Sequence, residues 1–290
     1  MRRILSTYRY VKHELTPELL SQIADAKIDA VEIFCEPSHF NYRDPLAIRD
    51  IAGMLDEYGL ALHSLHSPTE RHMTPGRDSG NPISISDPER IRRIDAVDEV
   101  KRALEVAERI PFRYLVQHMS QGRQVADPRK FDAAFNALEI LSIFAKHRGV
   151  TITLENTLGE LGSPESLQQF IRETHLHDLK LCFDIGHAHV ETGVEPALEI
   201  MRDRIVTTHI HDNHGEKDEH LLPYEGTIDW DAALAALHAA PAHPSIVLEL
   251  KEQPALASSN GTAPALEEIR AAFDKFEEFP GDSSAQSAGN

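Results

Sequence analysis

Positive charge, cysteine and long apolar runs are all scarce in this 290-residue chain. Lysine and arginine number 29 against 47 aspartates and glutamates, a formal net charge of −18. A surface of that sign repels a phosphate backbone, so nucleic acid is not the expected partner. The two cysteines, Cys35 and Cys182, lie far apart inside apolar runs, which excludes a disulfide framework and fits a reducing cytoplasm. No segment approaches the roughly 18 consecutive apolar residues of a membrane span. The start "MRRILSTYRYVKHEL" has no apolar stretch of signal-peptide length. A soluble, cytoplasmic protein without a membrane partner is the expectation. Also missing is a G-x-G-x-x-G turn after the first candidate strand, which argues against a dinucleotide-binding sheet.

What the chain does have is alternation. Short β-branched or apolar runs fall at 3–8, 30–34, 60–65, 114–119, 150–155, 179–184, 205–210 and 245–250. Stretches of helical periodicity lie between them, including 17–26, 87–110, 127–149, 163–174 and 229–240, several opened by Ser or Asp caps. Strand and helix alternating eight times predicts a closed parallel (β/α)8 TIM barrel in a single domain, with an open doubly wound sheet as the alternative. The barrel is expected over residues 1–276, and the small, polar 277–290 as a disordered tail. One connection, "SPTERHMTPGRDSGNPISIS", is too long and too rich in Gly and Pro for a plain link, and its span from Pro68 to Ser86 is expected to cover the site.

Strands buried on both faces should read as continuous Val, Ile and Leu, so a carboxylate or imidazole at a strand's C-terminal end is out of pattern. Six strands show one: His66, His118, Glu155, Asp184, His209 and Glu249. In a barrel these ends converge on one rim. The adjoining loops add His187, Asp218 and His220, the last two inside "THIHDNHGEKDEHLLPYEG". Gathered without a cation, such acids would repel one another; a divalent metal supplies the opposing charge, and mixed Asp, Glu and His without a thiolate cluster suits zinc, manganese or a similar ion. Taken singly, each has an ordinary reading: His118 as a packed histidine, Glu249 as a salt-bridge partner, "NHGEKDEH" as a solvated loop. Six coincident strand ends favour the metal.

The stretches "LVQH", "ITLENT", "LCFDIGHAH" and "HIHDN" followed by "DEHLLPYEGTIDW" resemble the xylose isomerase-like TIM-barrel superfamily, which includes sugar phosphate isomerases and epimerases and the endonuclease IV branch. The resemblance implies that Glu155, Asp184, His209 and Glu249 hold a central metal. It further implies that His66 and His118 hold a second with Glu155, and that His187, Asp218 and His220 hold a third. Between one and three ions are expected, Zn2+ or Mn2+, with Mg2+ or Co2+ as alternatives. His63 competes with His66, and His211 with His209, the H-x-x-D spacing to Asp212 favouring His209.

Hydride-shift isomerases of this superfamily carry a lysine just beyond the fifth-strand glutamate, where this chain has Asn156-Thr157. The acidic balance speaks against a duplex substrate. The expected function is therefore a metal-dependent sugar isomerase or epimerase acting on a small ketose, polyol or sugar derivative through an enediolate, with Glu155 and Glu249 as the acid/base pair. Glu32, His211 and Lys251 are candidates for binding substrate hydroxyls. The alternatives are a dehydratase or lyase of the same superfamily, an abasic-site nuclease with a trinuclear zinc site, and a barrel that binds sugar without converting it. A homo-oligomer is left open.

Overall fold

A computed structural model describes residues 1–70, 82–119, 122–251 and 266–279. The strands are β1 (Ile4–Ser6), β2 (Ala30–Phe34), β3 (Ala61–His66), β4 (Tyr114–His118), β5 (Thr151–Glu155), β6 (Lys180–Asp184), β7 (Ile205–His209) and β8 (Val247–Leu248). All pair in parallel in the order β7-β6-β5-β4-β3-β2-β1-β8. The ring closes between the two ends of that order, β7 and β8: Thr208 N–H donates to the Ser245 carbonyl at 3.0 Å and Ile210 N–H to that of Val247 at 2.8 Å. The eight expected strands and the barrel are thus observed; β2 coincides with its apolar run, β3 is shifted by one residue, and the other six are shorter, β8 most of all.

The helices are α1 (Pro17–Asp25), α2 (Pro45–Tyr58), α3 (Arg90–Glu105), α4 (Pro128–Lys146), α5 (Pro164–Thr174), α6 (Ile185–Glu191), α7 (Val194–Met201), α8 (Trp230–His238) and α9 (Leu266–Glu277). Their starts follow capping chemistry. Thr16, Asp44, Asp127, Ser163 and Asp229 each accept a first-turn N–H, and a proline opens α1, α2, α4 and α5. Helix α3 begins later than its periodicity suggested because Asp87 spends its carboxylate on the Glu89 N–H, 2.8 Å away, in a turn before the helix. At the other end, α9 runs to Glu277, which binds Arg3 with both carboxylate oxygens at 3.0 and 2.6 Å, and Phe279 packs against the core. Residues 280–290 lie outside the described part.

The main apolar core lies between the strands' outer faces and the helices. A separate small cluster, Ile4, Ala30 and Val247 with Ala61, plugs the lumen. Above it the buried lumen is polar: Ser64 donates to Glu32 at 2.7 Å, and His63 Nε2 meets Thr207 Oγ1 at 3.3 Å. No helix among the described residues is long and apolar enough to cross a membrane.

One ion-pair node on α3 gives a stability prediction. Buried Glu99 accepts from Tyr42 Oη at 2.6 Å, Arg43 Nε at 2.6 Å and Arg102 at 2.7 Å. Burial by itself would raise this carboxyl, but the bonds from Arg43 and Tyr42 outweigh it and hold it below the usual range. Stability from such a depressed group is present above the unfolded carboxyl pKa and lost as pH falls through the folded one. Glu99→Gln is expected to cost about 1.5 kcal/mol at neutral pH. In denaturant titrations its gap to the wild type should close as pH falls below about 4; a gap constant with pH would show that the charge contributes nothing.

Candidate metal centre

The barrel brings all six strand-end residues to one rim, where a cavity of about 650 Å3 opens over Glu155, Glu249, His66 and His118. Glu155 is at the centre. Its Oε2 lies 3.1 Å from His118 Nε2, 3.4 Å from His66 Nε2 and 3.3 Å from His209 Nδ1, and its Oε1 lies 3.5 Å from His187 Nδ1. His209 Nδ1 is also 3.5 Å from Glu249 Oε2 and 3.9 Å from Asp184 Oδ2. On the loop side, Asp218 Oδ2 is 2.9 Å from His220 Nε2 and 3.7 Å from His187 Nε2. Ligand atoms of His66, His118 and Glu155, of Glu155, Asp184, His209 and Glu249, and of His187, Asp218 and His220 form three groups, each with its atoms within 4.8 Å of one another.

Local structure aims these groups. Asp184 ends β6 and caps α6, accepting the His187 N–H at 2.6 Å, so one carboxylate fixes the entry of the helix that carries His187. His66, His187 and His220 each hold Nδ1 against a backbone carbonyl, of Ser67 at 2.9 Å, Asn156 at 2.9 Å and Glu249 at 3.1 Å. A carbonyl accepts only, so Nδ1 carries a proton, and in the neutral ring that a metal would bind, Nε2 presents its lone pair toward the cluster. His209 does the same with its nitrogens exchanged: Nε2 donates to Glu32 at 3.0 Å, and Nδ1 faces inward. His220 also sits at φ +51°, the left-handed region, where a non-glycine residue persists only if its surroundings enforce it.

The electrostatics match. Burial alone would raise Glu155, yet His209 and His118 hold it well below the carboxylate range, whereas burial and the neighbouring Glu155 and Asp184 push Glu249 up to about 7 against the pull of His209. Burial would lower His187, but Asp184 and Asp218 lift it to about 10. The acids draw positive charge from whatever is near; a divalent cation supplies it directly. His209 Nδ1 and Asp218 Oδ1 are buried without a hydrogen-bond partner, as open ligand atoms would be. Cys182 lies within reach of Glu155 and His209, with burial pushing its thiol up; the other donors around the cavity are oxygens and nitrogens. The residues present fit a hard or borderline divalent ion.

The three residues expected to meet substrate hydroxyls have partners within the protein. Glu32 is wholly buried beneath the site, bonded to His209 and Ser64; burial alone would raise it, but His209 and Ser64 bring it down to about 2, so it is a carboxylate that orients His209 and does not reach the cavity. His211 is likewise buried behind the wall, with Nε2 3.1 Å from both Asp184 oxygens. Lys251 spends its ammonium on Asp218, at 3.0 Å from both the carbonyl and Oδ2. His63 lies in the lumen below, which leaves His66 at the rim. Asp212 binds no member of the cluster and instead staples its own loop. Of the long connection after β3, the two stems pair, Ile83 N–H donating to the Thr69 carbonyl at 2.9 Å, and Thr69 and Glu70 line the cavity; residues 71–81, with the tip from Gly76 to Asn81, lie outside the described part.

The sequence marked Asn156 only for the lysine it replaces. In the structure it is a buried tie between β5 and β6: its amide donates to the Asp184 carbonyl and accepts the Asp184 N–H, both at 2.8 Å. Tyr8 and Phe34, which form an aromatic cavity wall with ring centroids 5.0 Å apart, carried no signal that separated them from core residues.

The chain belongs to the xylose isomerase-like TIM barrel family, whose model matches residues 20–276. It is 29% identical over 243 residues to an uncharacterised protein of Methanocaldococcus jannaschii, covering 80% of this chain and 78% of that one. Among solved structures, a D-tagatose 3-epimerase-like protein superposes with a TM-score of 0.75 at 24% identity, covering 96% of this chain and 97% of the other. The IolI protein with a bound zinc atom superposes with a TM-score of 0.72 at 18% identity, covering 95% and 96%. Both likenesses establish the shared barrel.

Proposed function

We propose that this protein is a divalent-metal-dependent sugar isomerase or epimerase acting on a small ketose, polyol or related derivative. The observation that carries the reading is the pairing of two buried carboxylates, Glu155 and Glu249, from different strands, on one cavity and in one ligand group with Asp184 and His209. The D-tagatose 3-epimerase-like and zinc-holding IolI structures support it by sharing the barrel, and the net charge of −18 supports a substrate without phosphodiester bulk.

Glu155, Asp184, His209 and Glu249 would hold the ion, which when bound polarises adjacent substrate oxygens and stabilises an enediolate. The chain supplies the rest. One of the two glutamates takes the proton from the carbon next to the carbonyl, and the other returns a proton from another side of that carbon. Glu32 keeps His209 in a single tautomer and orientation. The Tyr8 and Phe34 rings offer an apolar flank to the C–H face of a sugar and exclude water there.

Proton transfer through side chains leaves an isotopic record. Once a panel of ketoses and polyol derivatives has yielded a substrate, turnover in deuterium oxide is expected to place deuterium on the reacting carbon, seen by NMR. A converted product without deuterium would count against proton exchange between two glutamates and overturn the two-base assignment. A dehydrated product would move the protein to the lyases, and cleavage of abasic DNA with no sugar converted would move it to the nuclease branch.

A further inference from the structure

His211 belongs to no ligand group that the strand-end pattern predicts, yet its surroundings are those of a ligand. The ring is fully buried and held on both faces. One face lies on Gly186, where even a Cβ would come within 1.9 Å of Cε1; the other stacks on His220 with centroids 3.9 Å apart and planes 10° from parallel. Nε2 meets both Asp184 oxygens at 3.1 Å, and a carboxylate accepts only, so Nε2 carries a proton and, in the neutral ring that ligates a metal, Nδ1 carries the lone pair. That Nδ1 has no hydrogen-bond partner. It faces Asp218 Oδ1 at 3.8 Å, itself a buried oxygen without a partner. Two lone-pair atoms locked toward each other gain nothing by themselves; a cation between them satisfies both. His211, His220 and Glu249 also present ligand atoms within 4.8 Å of one another.

We propose that His211 Nδ1 is a metal ligand, completing with Asp218 and His220 the loop-side position that the sequence pattern assigns to His187, Asp218 and His220 alone. The carboxylate of Asp184 then does for His211 what Glu32 does for His209, binding the outer ring nitrogen so that the inner one points at the ion. Asp184 thereby connects the central position to the loop-side one. The position also gains a further protein donor, which moves it from an open site toward the closed coordination of a structural ion that holds the β7 loop against α6.

The inference rests on the site holding divalent metal, and the test separates the two. Crystals of the full chain grown with zinc, measured at the zinc absorption edge, are expected to show an anomalous peak about 2.1 Å from His211 Nδ1. A peak bonded to His187, Asp218 and His220 with none on His211 overturns this inference and leaves the metal-dependent reading standing; no zinc anywhere in the cluster overturns both. In solution, His211→Gln keeps an amide donor for Asp184 but removes Nδ1. It is expected to carry one zinc equivalent fewer than the wild type by elemental analysis, with unchanged circular dichroism. An undiminished zinc count in that variant also counts against His211.

Discussion

Glu155→Gln is expected to strip the protein of most of its metal, lowering affinity on the order of a hundredfold or more, because even residues that merely orient ligands are typically worth 10- to 100-fold. The size of the effect follows from geometry. The two oxygens of Glu155 face four histidines, three on Oε2 and one on Oε1, so the carboxylate is common to otherwise separate groups. An amide in its place turns one acceptor into a donor and removes the charge that His209 and His118 compensate. Purified protein should carry at least one equivalent of a divalent ion by elemental analysis. Stoichiometric metal in the variant would show that Glu155 is not the shared ligand. Loss of catalysis alone would decide little, since the residue is placed in both the metal and the proton-transfer roles.

The second large effect concerns the loop that delivers Asp218 and His220. Asp212 is wholly buried and accepts four hydrogen bonds: from the backbone N–H groups of Asn213 at 2.8 Å, Tyr224 at 3.0 Å and Ile228 at 3.3 Å, and from Trp230 Nε1 at 2.8 Å. Asp212→Ala leaves these donors without an acceptor. At about 1–3 kcal/mol for each orphaned buried group, partly relieved by entering water, the loss should reach about 4 kcal/mol, the upper end for one substitution. A fall in melting temperature of about 10 °C is the corresponding reading. The loop has little room to rearrange, since a Cβ on Gly226 would stand 2.3 Å from both Asp212 Oδ1 and the Asn213 carbonyl. A change below about 1 kcal/mol would mean that the staple is redundant.

The candidate positions at the strand ends were legible in the sequence for a physical reason. A strand covered on both faces tolerates a charged group only where it emerges from the sheet, so Glu155 after "TITL" and Asp184 after "KLCF" stand out without any knowledge of their neighbours. An ideal strand would put His63 and His66 on opposite faces, but the β2–β3 pairing shifts register between Val31 and Glu32, so the alternation could not rank them. Ser64 pairs with Glu32, so the irregularity falls at His63 and His66 emerges beside Phe34. No local pattern announces such a shift.

What the sequence determined by itself was periodicity and chemical type: eight strands with helices between them, polar strand ends, an oxygen and nitrogen donor set, and a net charge of −18. Each is a property of residues near one another in the chain or of the composition as a whole. The tertiary structure alone decided the partners. Glu32 and His209 are 177 positions apart and meet at 3.0 Å, which gives the expected substrate contact a partner inside the barrel. Lys251 meets Asp218, and Asn156 ties Asp184, for the same reason. Coulomb and hydrogen-bond energies depend on distances of a few ångströms across the barrel, and a linear order of residue types contains no such distances until the ring is closed.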